Sequence, residues 1–124
     1  KRREQIIRRI KDYFLDKNDV VFAYLHGSFI ENRKFKDIDI GIFVKNPVRE
    51  IELESDLSYE LTDKIGYPVE VRIINNASIA FQMAVLRKGR LLISRTDNVR
   101  TDFIENTSRR YREYSHFRNL ILAA

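Results

Sequence analysis

The segment VVFAYLHGSFIENRKFKDIDIGIFV, from Val20 to Val44, constrains this chain more than any other. Val20 to His26 has the β-branched and aromatic content of a buried strand, and Ile38 to Lys45 forms a second strand that Asp37-Ile38-Asp39 opens. Side chains alternate faces along a strand. Asp37 and Asp39 therefore project together, while Ile38, Ile40, Ile42 and Val44 point the other way into a core. Gly41 falls on the carboxylate face, where its missing side chain is expected to leave room for a ligand backbone or base.

Two carboxylates a few ångströms apart repel each other, and a hard divalent cation that takes oxygen ligands relieves the repulsion, which points to Mg²⁺. The Gly27-Ser28 turn sits where the first strand ends. A chain that turns there into a helical loop leaves backbone N–H groups pointing outward, suited to phosphate oxygens. Gly27 permits close approach and Ser28 adds a hydroxyl, while Arg33, Lys34 and Lys36 in the connecting loop are further candidates for phosphate contacts. His26, beside the turn, has two readings: a donor to an anion, or a satisfied structural residue at a strand end.

The rest of the chain reads as alternating helices and strands. Ile6, Ile7, Ile10, Tyr13 and Phe14 recur at helical spacing and predict an amphipathic helix over Glu4 to Leu15. Asn46-Pro47 reads as a helix start and Gly66 as its stop, with Leu53, Leu57, Leu61 and Ile65 as one stripe. Pro68 to Ile74 is a third strand, with Val69, Val71 and Ile73 on one face and Glu70 and Arg72 on the other. Asn76 is a candidate cap for a helix over Ala77 to Lys88, Gly89 closes it, and Arg90 to Ser94 is a short last strand. A long terminal helix begins at about Asp97 or Thr101, and its Tyr111, Tyr114 and Phe117 either cover the sheet or face a partner. The expected fold is α/β, with a small mixed sheet of about four strands, helices mainly on one face, and the metal site at the sheet edge.

With 124 residues, the chain is expected to form one domain, residues 1–124. No apolar run approaches the length of a membrane span, no signal-peptide pattern is present and there is no cysteine, so a cytoplasmic protein without disulfides is expected. Lys1 rather than Met opens the chain, so the native start is expected upstream. The net charge of +5 suits an anionic partner: a nucleotide, an acidic protein surface or nucleic acid. Direct nucleic-acid binding is the weaker reading.

Gly27-Ser28 directly after an apolar strand, with Asp37-Ile38-Asp39 opening the next, resembles the signature of the DNA polymerase beta-like nucleotidyltransferase superfamily. The compact chain is most similar to the minimal nucleotidyltransferases, over nearly its whole length. The resemblance implies that Gly27 and Ser28 contact the triphosphate of ATP, that Asp37 and Asp39 hold two Mg²⁺ ions, and that Glu70 is the third carboxylate of the site. Lys36 joins the nucleotide-binding set. Two departures stand out: eight residues separate Ser28 from Asp37, fewer than the family often has, and Glu70 replaces the commoner Asp. Compact members of the family are commonly encoded beside a HEPN-domain ribonuclease toxin and act as its antitoxin by transferring AMP to a toxin tyrosine. The resemblance therefore implies a protein adenylyltransferase antitoxin. The alternatives are an antitoxin that works by binding alone, and nucleotidyl transfer to a small molecule.

Overall fold

The computed structural model describes residues 2–123, so Lys1 and the expectation attached to it lie outside the described residues. Nine elements alternate: α1 (Arg2–Leu15), β1 (Val20–His26), α2 (Ser28–Glu31), β2 (Ile38–Val44), α3 (Glu50–Ile65), β3 (Val69–Ile73), α4 (Ile79–Lys88), β4 (Arg90–Ser94) and α5 (Asp97–Ala123). The four strands form one mixed sheet in the order β3-β2-β1-β4. β1 runs antiparallel to both β2 and β4. β2 and β3 are parallel, which requires a crossover, and α3 supplies it.

Helices cover both faces of the sheet, not mainly one. Ile10 and Phe14 of α1 and Leu57 and Leu61 of α3 pack with Ile38, Ile40 and Ile42 in the larger core. Val85 of α4 and Phe103 of α5 pack with Val21, Phe22, Tyr24 and Ile74 in a smaller core on the opposite face. The physical reason is the unbroken burial of β1 from Val20 to Leu25. A strand apolar on both sides needs a layer on each.

Two helix starts fall later than the sequence pattern predicts. The Asn46 carbonyl accepts the Val48 N–H at 2.8 Å in a tight turn, and α3 begins only after Arg49, which is left-handed (φ 52°, ψ 47°). Ser78, not Asn76, caps α4, its hydroxyl accepting the Phe81 N–H at 3.2 Å. No helix among the described residues is long and apolar enough to cross a membrane.

Candidate active site

Strand register builds the site. Asp39 of β2 lies opposite His26 of β1 and opposite Glu70 of β3, which puts the three on one sheet face. That face carries α4 and α5, and the three residues stand at one end of the two central strands and of β3, the edge strand that carries Glu70. Asp37 lies two residues earlier, outside β2 and exposed. Burial pushes the Asp39 carboxyl above its ordinary range, the negative charges of Asp37 and Glu70 add to this, and Arg72 opposes it.

Gly27 makes that placement possible. Its backbone (φ 77°, ψ −159°) is one that L side chains avoid, and a Cβ there would collide with Asp39 Oδ2 and stand 3.3 Å from Asp39 Cγ. α2 then begins at once, with the Gly27 carbonyl accepting the Ile30 and Glu31 N–H groups, both at 3.0 Å. The Ser28 and Phe29 N–H groups, the first two of the turn, take no part in those bonds. Ser28, Asn32, Lys34, Phe35, Lys36 and Asp37 line one cleft of about 500 Å³. The structure thus brings Ser28, Lys36 and Asp37 together around that cleft, and Gly27, Asp39 and Glu70 together through the strands. A hollow of about 450 Å³ between α1 and α3 has no such convergence, because its Tyr13 and Lys17 both engage Glu60.

Three neighbours have definite roles. Gly41 leaves no room for a ligand: a Cβ there would stand 3.0 Å from Ile74 Cγ2, 3.4 Å from Val85 Cγ1 and 3.7 Å from His26 Cδ2. The space is filled by protein because α4 covers this part of the face. Arg72 lies over the Phe81 ring, its Cζ 4.3 Å from the centroid, and makes no ion pair with Glu70 among the described residues. His26 packs edge-on against the same ring at 5.5 Å, its Nε2 buried without a partner. Burial and then the Arg72 charge hold its imidazole below the usual range. The ring is packed in place, but it is not the satisfied residue expected of a strand end, because Nε2 has no partner.

The donor set suits Mg²⁺, which takes carboxylate oxygens, and a cation would relieve the crowding of negative charge around Asp39. Among the described residues no three His, Cys, Asp or Glu side chains are arranged to hold a metal, so the carboxylates do not form a ready-made cage. Arg3 is the residue that sequence reasoning passed over. Its guanidinium donates to the Phe29 carbonyl, to the Asn32 carbonyl at 3.0 Å and to the Arg33 carbonyl at 2.6 Å. In a run of Lys1-Arg2-Arg3 nothing distinguishes it from a solvated charge.

The family model for the polymerase beta nucleotidyltransferase domain matches residues 8–98, which include His26, Gly27, Ser28, Lys36, Asp37, Asp39 and Glu70. The chain belongs to the polymerase beta nucleotidyltransferase family. Several solved structures share its fold. A chain of the tri-AMPylated Shewanella oneidensis HEPN toxin in complex with MNT antitoxin is 20% identical, with a TM-score of 0.80 over 98% of this chain and 96% of that one. A chain of the MntA–HepT toxin–antitoxin gives 20% identity and a TM-score of 0.78 over 97% and 96%. A chain of a toxin–antitoxin structure with AMP-PNP gives 21% and 0.77 over 92% and 94%. Among curated proteins no significant match was found. At these identities the likeness to the solved chains is one of fold.

Proposed function

We propose that this nucleotidyltransferase is an Mg²⁺-dependent adenylyltransferase that moves AMP from ATP to a tyrosine of a HEPN toxin encoded beside it, and so acts as the antitoxin. The observation that carries the reading is the joining of Ser28, Lys34, Lys36 and Asp37 around one cleft, with Asp39 seated against Gly27 beside Ser28. The matching solved chains come from toxin–antitoxin complexes, one with an AMPylated toxin and one with AMP-PNP, which supports the choice of acceptor and donor. The whole chain, 1–124, is one such domain in this reading, since both cores share a single sheet.

Ser28, Lys36 and Lys34 would bind the β- and γ-phosphates in the cleft. Asp37 and Asp39 would hold Mg²⁺, two ions in the full complement, with triphosphate oxygens and Glu70 completing the ligands. The cation supplies charge neutralisation for the triphosphate and for the crowded carboxylates. As the tyrosine oxygen bonds to the α-phosphorus, its bond to the pyrophosphate oxygen breaks and pyrophosphate leaves. Glu70 would take the tyrosine proton, a role that its exposure and its register with Asp39 support. The test is the intact mass of the neighbouring HEPN protein after incubation with this chain, ATP and Mg²⁺. AMP-sized increments that vanish in the Asp37→Asn/Asp39→Asn variant are the expected result. A silenced partner of unchanged mass would instead establish an antitoxin that works by binding alone.

A further inference from the structure

We propose that Arg3, on the first turn of α1, is a positioning residue for the nucleotide: it holds the short loop between α2 and β2 in the shape that binds phosphate. The inference rests on the nucleotidyltransferase reading of the cleft. α2 is a single turn of four residues, and a helix that short has no stability of its own. Its last carbonyls would be left without partners, and from Asn32 to Asp37 the chain forms neither helix nor strand. Yet Lys34, Lys36 and Asp37, which line the cleft opposite Ser28, all hang from that stretch.

One side chain supplies the missing support. The Arg3 guanidinium donates to the carbonyls of Phe29, Asn32 and Arg33, spanning the end of α2 and the start of the loop. Its plane also lies near two rings, 5.3 Å from Phe29 and 5.0 Å from Phe35, which themselves meet edge to face at 4.7 Å. Three donors in a rigid fork together with stacking are properties of guanidinium that a lysine ammonium lacks. Phe35 is itself a wall of the cleft, so Arg3 touches the wall as well as the backbone that carries it. Arg3 does not line the cleft, and so it acts through the loop.

The test compares the full chain with Arg3→Ala, Arg3→Lys and Arg9→Ala. Arg9 makes a bond of the same kind, from α1 to the Lys64 carbonyl at the end of α3, and serves as the control for loss of a helix tether. Two quantities are read: the dissociation constant for AMP-PNP with Mg²⁺, and deuterium exchange of the amides from 30 to 36 without nucleotide. Arg3→Ala is expected to weaken AMP-PNP about tenfold and to speed exchange in that segment about tenfold, and, because Asp37 hangs from the same loop, to lower turnover at saturating ATP as well. Arg3→Lys should fall between the two, and Arg9→Ala should leave both readings unchanged. Unaltered affinity in Arg3→Ala, equal weakening in Arg9→Ala, or full function in Arg3→Lys would overturn the inference alone. Failure of the unaltered chain to bind AMP-PNP would remove the nucleotide reading, and the inference with it.

Discussion

At the scale of single residues, Gly27 and Gly66 form a matched pair. Both have positive φ, 77° and 86°, but a Cβ at Gly66 meets nothing within 4 Å, whereas one at Gly27 strikes Asp39. Gly66→Ala should therefore cost only the conformational penalty, about 1 kcal/mol in denaturant unfolding, and leave nucleotide transfer intact. Gly27→Ala should cost about 2–3 kcal/mol and abolish transfer, because Asp39 must move as well. Equal costs at the two sites would refute the close approach. Asp39 gives a pH-dependent prediction. Its carboxyl binds a proton more tightly in the folded state than at the ordinary 3.8, so the folded chain loses stability as pH rises from that value through the raised one. Asp39→Asn should melt at a higher temperature than the unaltered chain at neutral pH without Mg²⁺, and the advantage should vanish at about pH 4 and below. A lower melting temperature at neutral pH would mean that Asp39 is held by favourable contacts instead of crowded. The positions of Asp39 and Ser28 were legible because strand alternation and a Gly-Ser turn are local signals, whereas Asp37, expected inside the strand, lies just before it. The collision that requires Gly27 was not legible, since it depends on two strands meeting.

At the scale of elements, the strands matched their sequence pattern closely, while helix beginnings did not. Asn46-Pro47 and Asn76 both look like caps, but caps are set by where the chain can turn: Ser78 stands two residues beyond Asn76 and takes its place, whereas no Ser, Thr, Asp or Asn lies between Asn46 and Glu50. The consequence for α3 is an N-cap with no side-chain bond and an arginine in the left-handed region. Glycine there avoids about 1–2 kcal/mol of backbone penalty and costs about 0.5–1 kcal/mol in chain entropy. The Arg49 to Glu52 ion pair that would be lost, 3.4 Å between largely exposed side chains, contributes little. Arg49→Gly is thus expected to raise stability by about 0.5 kcal/mol, measured as a later urea midpoint at an unchanged slope. A fall of similar size would show that the ion pair outweighs the strain.

For the whole molecule, the positive charge is the property that the sequence leaves most ambiguous, because it reports how many cations there are and not what each one touches. The structure ties many of them down internally. Arg9 and Arg95 donate to backbone carbonyls, Arg90 pairs with Glu4, Arg110 donates to the buried Gln82, and Arg72 and Arg87 lie over aromatic rings. Arg3 donates to the carbonyls of Phe29, Asn32 and Arg33. Seven of the 15 arginines are engaged in this way, and a guanidinium that serves as a tether is not free to track a nucleic-acid backbone, so the net charge of +5 overstates the cations on offer. Counterion release makes this measurable: a protein neutralising six phosphates loses about a thousandfold in affinity between 50 and 200 mM salt, and one neutralising two loses about tenfold. Binding of a labelled single-stranded RNA, followed by fluorescence anisotropy across that salt range, is expected to be weak and to fall by no more than about tenfold. A steep decline of a hundredfold or more would mean that the tethered arginines release to the ligand, and would move the chain toward direct nucleic-acid recognition.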